Sequence, residues 1–176
     1  VQSFAAQSAP LLRVCSGYGC VYKEKFQFSD AESAELKTMF SGVSNAEEER
    51  AVVSTAIGRM EQIARRHLRY RPDKRLAEFR RSGTRGEMDC VDESLNTTAY
   101  LYYLQDQNVL RHHKPTKNYA ERGFLLDGRY PHKSAVMTDT GTNTKWAVDS
   151  WKEDDGKPAQ VITLSSWRKE RASDYR

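Results

Sequence analysis

Gly86-Glu87-Met88-Asp89-Cys90-Val91-Asp92-Glu93-Ser94-Leu95-Asn96-Thr97-Thr98 reads as the start of a helix whose first residue is a cysteine. Asp89 is a good N-cap, and Asp92 and Glu93 fall in a first turn, where carboxylates favour the positive end of the macrodipole. Leu95, Thr98, Ala99 and Tyr102 recur at helical spacing, as do Val91, Leu101 and Leu104, so a helix is expected over residues 90–105. Cys90 then occupies the first helical position, beside backbone N–H groups that have no partner inside the helix. Such groups can hold a thiolate and later an oxyanion, and the position lowers a thiol's pKa. The plainer alternative is a buried cysteine in an amphipathic helix, a common fate of free Cys.

Downstream, Pro131–Thr138 and Thr144–Trp151 both read as strands, joined by the turn-rich Asp139-Thr140-Gly141-Thr142-Asn143. Pairing His132 with Asp149 centres the turn between Thr140 and Gly141. Directly opposed residues share a face at hydrogen-bonding distance, so Asp149 is expected to hold the His132 imidazole. A one-residue slip would bring Ser150 opposite instead. The other histidines compete poorly. His67 lies at an arginine-rich helix end, and His112 and His113 are adjacent on a short strand with no carboxylate at hairpin distance. These three are read as surface or satisfied core groups. A thiol is a nucleophile only when ionised, and Cys90, His132 and Asp149 supply nucleophile, base and orienter in the order that chemistry requires.

Ahead of the cysteine, Leu11–Val14 and Val21–Phe28 are strand-like and flank a turn containing Cys15 and Cys20. A bridge between them would clip a hairpin and leave Cys90 as the unpaired thiol; with no second ligand pair, zinc at Cys15 and Cys20 is disfavoured. Ser29-Asp30-Ala31-Glu32 is a capping box opening a short helix toward Phe40, and Ser41-Gly42-Val43 breaks it. Ser44-Asn45-Ala46-Glu47 reads as a second capping box. Val53, Ile57, Met60, Ala64 and Leu68 form a core-facing stripe to about residue 69, and Pro72 ends the run. After Asp149, the run Glu153-Asp154-Asp155-Gly156-Lys157-Pro158 is a loop, Gln160–Leu164 a last strand, and Ser165-Ser166-Trp167 the lead into a charged tail.

A Cys at a helix start, followed by a His and an Asp on successive antiparallel strands, resembles the transglutaminase-like superfamily, which shares its Cys-His-Asp logic with papain-like cysteine hydrolases. The Cys90 to His132 and His132 to Asp149 spacings are similar to that core. The Asp-Cys-x-Asp run resembles the bacterial transglutaminase-like cysteine proteinases, some of them periplasmic and calcium-dependent. The Met-Asp-Cys-x-Asp-Glu-Ser, His-x-x-Ala-Val and Val-Asp-Ser-Trp runs resemble a group of uncharacterised proteobacterial proteins. The likeness covers roughly residues 45–167. It implies catalytic roles for Cys90, His132 and Asp149, a second oxyanion donor upstream of the cysteine (Gln62 is one candidate), and a protein or peptide substrate. One departure is Val91, where the bacterial proteinases carry an acidic residue. Asp89 and Asp92 alone make a thin calcium set against the six or more oxygens that ion takes. Helix capping is therefore the preferred reading of both, with calcium a minor alternative and no other cofactor expected.

At 176 residues and 38% hydrophobic, the chain suits one globular domain over residues 11–170, with residues 1–10 as a flexible leader or linker. It opens with Val rather than Met, so an upstream segment is expected to have been removed. No run approaches the roughly 20 apolar residues of a membrane span. Between residues 65 and 85, nine Lys or Arg (Arg65, Arg66, Arg69, Arg71, Lys74, Arg75, Arg80, Arg81, Arg85) stand against Asp73 and Glu78, in a chain of net charge +4. The segment reads first as a solvated helix end and second as a basic rim of the cleft. It lacks any nucleic-acid-binding motif. The odd cysteine count and the family likeness favour the periplasm or another exported setting. The expected fold is α+β, a helical N-terminal half carrying the nucleophile at a helix N-terminus and packed on an antiparallel β-sheet. The expected activity is hydrolysis of an amide or peptide bond through a thioester. Acyl transfer with the same triad and a non-catalytic periplasmic binding module are the alternatives; oligomeric state is left open.

Overall fold

A computed structural model describes residues 10–71, 82–123, 131–154 and 156–171. The leader to residue 9, Pro72, and the centre of the basic segment lie outside the described residues. The chain is a mixed α+β structure. Strands β1 (Leu12–Ser16) and β2 (Tyr22–Phe26) form a hairpin, followed by helices α1 (Asp30–Met39), α2 (Ala46–Leu68) and α3 (Cys90–Asp106). Short strands β3 (His113–Pro115) and β4 (Ala120–Arg122) lead to β5 (His132–Asp139), β6 (Lys145–Asp149), β7 (Gln160–Thr163) and a single-turn helix α4 (Leu164–Trp167). Both sheets are antiparallel. In the larger one β5 is flanked by β6 on one side and by β3 and β4 in succession on the other, while β7 follows β6. Among the described residues, no helix is long and apolar enough to cross a membrane.

Helix starts follow side-chain chemistry. Ser29 caps α1 in a complete capping box with Glu32. The cap of α2 lies one residue later than Ser44: Asn45 accepts from Glu48 N–H, and the Glu48 carboxylate reaches back to the Ser44 N–H and hydroxyl. Asparagine caps as well as serine, and because Glu48 binds Ser44 and not the Asn45 N–H, the capping box expected at Ser44-Asn45-Ala46-Glu47 does not form. Val53, Ile57, Met60, Ile63 and Ala64 of α2 pack into the main core with Leu101 and Leu104 of α3, Ala135 and Met137 of β5, and Phe26 and Phe28. A smaller cluster of Ala120, Val136, Ala147, Leu164 and Trp167 covers the opposite face of the sheet. Strand alternation separates the two clusters. His132, Ser134 and Val136 share one face of β5, and Ala147 and Asp149 share that face of β6.

The register of β5 with β6 differs by two residues from the simple hairpin. Ala135 opposes Val148 and Met137 opposes Trp146, which places Ser134, not His132, at the level of Asp149. The Asp139 carboxylate accepts the Gly141 and Thr142 N–H groups at 2.8 and 3.0 Å, and the Asp139 N–H bonds the Thr144 carbonyl at 2.9 Å. This closes a loop centred one residue further along than the glycine alone suggests. A shift of two preserves the face of every side chain, whereas a shift of one would have reversed it.

His113 is a core group, as read. Its side chain and that of Glu49 are both fully buried, with Nδ1 2.8 Å from Glu49 Oε1. Glu49 also accepts the Arg111 and His112 N–H groups at 2.7 and 3.1 Å. Burial pushes the Glu49 carboxyl up, but these hydrogen bonds outweigh it and hold the group below its ordinary value. The effect is to pin the start of α2 to β3.

Gly58 admits the loop that precedes β7. A Cβ there would collide with the Lys157 carbonyl, while Ser54 Oγ donates to the Ala159 carbonyl at 2.6 Å and Ala159 N–H to the Ser54 carbonyl at 3.0 Å. Alanine improves helix propensity by about 1 kcal/mol. The contact here is with backbone and cannot swing aside. Gly58→Ala is therefore expected to lower unfolding free energy in urea by about 1–3 kcal/mol net; a stabilised variant would show that this loop does not dock on α2.

Candidate active site

The foot of α3 is built from carboxylates. Asp89 is the N-cap, its Oδ1 accepting the Val91 and Asp92 N–H groups at 3.0 Å each, and Asp92 Oδ2 accepts the Asp89 N–H at 3.2 Å. The loop between β1 and β2 supplies three more donors. Tyr18 N–H and Cys20 N–H reach Asp92 at 2.8 and 2.6 Å, and Gly19 N–H reaches Asp89 at 3.1 Å. Cys15 and Cys20 form a disulfide, which leaves Cys90 as the free thiol. All four carboxylate oxygens of Asp89 and Asp92 thus accept backbone N–H groups. A calcium ion would have to displace these donors, so the donor set does not fit that ion and capping is the role the geometry gives both residues.

The buried surface of α3 is more polar than its apolar spacing suggests. Leu95, Thr98, Ala99 and Tyr102 are only half-buried, while Asp92, Glu93, Asn96 and Thr97 are buried alongside Tyr100, Leu101, Tyr103 and Leu104. Each buried polar group is satisfied. Asn96 accepts from the Cys15 N–H at 2.7 Å and donates to the Cys15 carbonyl at 2.9 Å. Ser150 Oγ donates to Glu93 at 2.8 Å and lies 3.1 Å from Thr97 Oγ1, so Ser150 faces α3 and not His132.

Cys90 is half-buried and lines a cleft of about 440 Å³ with Glu121, Arg122, Gly123, Pro131, His132 and Lys133. The three residues singled out in the sequence therefore gather at one place, although Asp149 lies behind the histidine. His132 and Asp149 are both buried, with His132 Nε2 2.7 Å from Asp149 Oδ2. The contact is diagonal across the strands, within reach of an imidazole. Trp151, the residue level with His132 if the ladder continued, packs on the imidazole with ring centroids 4.5 Å apart.

Burial pushes the Cys90 thiol up to about 11. The Lys133 N–H, which donates to the sulfur, acts against this, and the Asp89 and Asp149 carboxylates add to it. Burial thus opposes the lowering expected from a helix N-terminus. The cap that makes a helix start also places a carboxylate beside the sulfur, and desolvation exceeds the pull of the Lys133 N–H.

Trp167 is more than the lead into a charged tail. It is fully buried, its Nε1–H donates to Asp149 Oδ2 at 2.8 Å, and its ring lies 5.6 Å from that of His132. Arg122 stacks over it at 4.3 Å and donates to its carbonyl and, at 2.8 Å, to Glu170. Glu170 also binds Lys152 and Gln160, each at 2.9 Å. The available signal was Thr163, an N-cap three residues before Ser166, together with a large aromatic in the lead into a charged tail. Gln62 does not reach the cleft: its Nε2 donates to the Gly156 carbonyl at 2.9 Å and its Oε1 accepts from Arg59.

No family model, no curated protein and no solved structure matches this chain.

Asp92 gives the site a pH signature. Burial, then the Asp89 charge, pushes its carboxyl up to about 6 against the N–H donors that oppose the rise. The folded state therefore holds this proton more tightly than the unfolded chain. Its contribution to stability is present below the unfolded value of about 4 and is lost as pH rises through about 6. Relative to wild type, Asp92→Asn is expected to remove that downward component between these limits, measured as urea unfolding free energy against pH. Parallel curves would show that Asp92 titrates normally.

Proposed function

We propose that the chain is a cysteine-dependent hydrolase of amide or peptide bonds, with Cys90 as nucleophile, His132 as general base and acid, and Asp149 as the group that orients the imidazole. The observation that carries this reading is the buried His132–Asp149 hydrogen bond beside a cleft that Cys90 and His132 both line. With Nε2 engaged by Asp149, Nδ1 is the ring nitrogen that would take the thiol proton. Sulfur then attacks the carbonyl carbon, and the Cys90 N–H at the helix start is one donor to the oxyanion. His132 returns its proton to the leaving amine, and water resolves the thioester. An amine in place of water would make the same site an acyltransferase.

The α+β layout and the order Cys90, His132, Asp149 support a transglutaminase-like assignment. The Cys15–Cys20 bridge supports an exported, periplasmic setting. A second reading, a binding module whose triad is silent, draws on one specific observation: burial and two carboxylates push the thiol up to about 11.

Iodoacetamide labelling of Cys90, read by peptide mass spectrometry without reductant, separates the two. In the enzyme reading wild type labels at about pH 6, and His132→Ala labels at least about tenfold more slowly there. Cys90→Ala abolishes hydrolysis of a casein or mixed-peptide substrate while its melting temperature is kept. Labelling that develops only near the ordinary thiol value of about 8.5 and above, equally in wild type and His132→Ala, would leave the binding reading.

A further inference from the structure

The foot of α3 is held from outside by a loop that the proposed chemistry does not use. Gly17, Tyr18, Gly19 and Cys20 all have positive φ, at 87°, 68°, 67° and 61°. In this turn the successive N–H groups face one side and form a concave nest for an anion. Here the anion is the Asp89–Asp92 pair, which receives the N–H groups of Tyr18, Gly19 and Cys20. A side chain disfavours left-handed backbone, so Tyr18 and Cys20 need something to hold them there. The Cys15–Cys20 disulfide closes the loop directly across them.

We propose that the Cys15–Cys20 loop is a redox-released positioning element for the nucleophile. With the bridge closed, the loop clamps the first turn of α3 and sets Cys90 against His132. With the bridge open, the nest disperses and Cys90 behaves as an ordinary thiol. The inference deepens the triad reading and rests on it for the direction of the change in thiol reactivity.

Two features make the release local. Strand β1 is pinned to α3 independently of the bridge, through both hydrogen bonds of Asn96 to the Cys15 backbone. The Gly17 N–H also bonds the Glu87 carbonyl at 2.7 Å, outside the nest. What opening removes is the set of donors at residues 18–20. Asp92 is buried and depends on two of them; without them its charge is harder to hold, and its bond from the Asp89 N–H weakens with it. That bond is half of the capping box immediately before Cys90.

The bridge is reachable from one side. Cys15 is buried, whereas Cys20 is partly exposed. A dithiol reductant would attack the Cys20 sulfur with one thiolate; the Cys15–Cys20 bond breaks, and Cys15 leaves as a thiolate and takes a proton. The second reductant thiolate then attacks the reductant sulfur of the mixed disulfide, and Cys20 leaves and is protonated. Two electrons pass from the dithiol, which becomes a disulfide, to the bridge, which becomes two thiols.

The test compares Cys90 labelling by iodoacetamide from about pH 6 to about pH 9 in three states of the full chain, bracketing the ordinary thiol value. These are the oxidised protein, the protein reduced with dithiothreitol and desalted, and the same sample reoxidised with oxidised dithiothreitol. Oxidised His132→Ala is run beside them. Hydrogen exchange at the Asp89, Val91 and Asp92 amides is measured in both redox states. Reduction is expected to slow labelling below pH 7 about tenfold, to move the profile toward about 8.5, and to speed exchange at those amides; reoxidation restores both. Superimposable profiles with His132→Ala still slow would overturn the inference and spare the triad. Should His132→Ala match wild type, the triad reading fails, and the exchange data decide the inference alone: protection unchanged by reduction sinks it. Loss of the whole fold on reduction, seen by circular dichroism, would also overturn a local release.

Discussion

Two carboxylates meet at the start of α3, and every oxygen they carry is bound to a backbone N–H. Like charges so close, one of them buried, are tolerated only because the donors surround them. Three of those donors come from a loop about seventy residues away in sequence, so the constraint joins the N-terminal hairpin to the helix that carries the thiol. It also fixes where the helix begins. A helix starting one residue earlier or later would rotate Cys90 by about 100°, out of the cleft.

The site balances opposed electrostatic effects. For a thiol displaced from 9.0 to about 11, ionisation with the surroundings unchanged costs roughly 3 kcal/mol more than usual. A charge-assisted hydrogen bond from a protonated His132 to Asp149 returns about 1.5–3 kcal/mol. The two are of the same size. In the proposed chemistry the thiol proton can therefore pass to His132 at little net cost. Asp149 has two effects of opposite sign, since it stabilises an imidazolium and disfavours a thiolate. The Trp167 N–H shares the same Asp149 oxygen and draws off part of that charge.

Capping and alternation were the legible parts of the sequence. Asp89 as N-cap, Ser29 with Glu32, and the face shared by His132 and Asp149 each follow from local rules that involve a few neighbouring residues. The β5–β6 register was two residues off because it depends on Asp139 folding its carboxylate over the Gly141 and Thr142 N–H groups, a turn that glycine position alone does not reveal. The parity survived, and with it the contact. Trp167 was missed because a single-turn helix carries no periodicity, and its burial depends on Arg122, which lies 45 residues away in sequence. The polar buried face of α3 was equally hidden: Asn96 and Glu93 look solvent-facing until β1 and Ser150 are brought against them.

The proposed nucleophile and base are anchored by different means. Cys90 is fixed through Asp89 and Asp92 to the disulfide loop, and His132 through Asp149 and Trp167 to the C-terminal segment, where Arg122, Lys152 and Gln160 converge on Glu170. The halves meet where the Lys133 N–H touches the Cys90 sulfur, and behind that contact where Leu101 and Leu104 pack with Ala135 and Met137. An apolar contact of this kind sets the distance between α3 and β5 but fixes no side-chain direction, because it is non-directional. Direction comes from the hydrogen-bonded anchors on either side. Disturbing one anchor should therefore turn its own side chain while leaving the fold and the opposite side chain in place, which a site held by a single shared network would not allow.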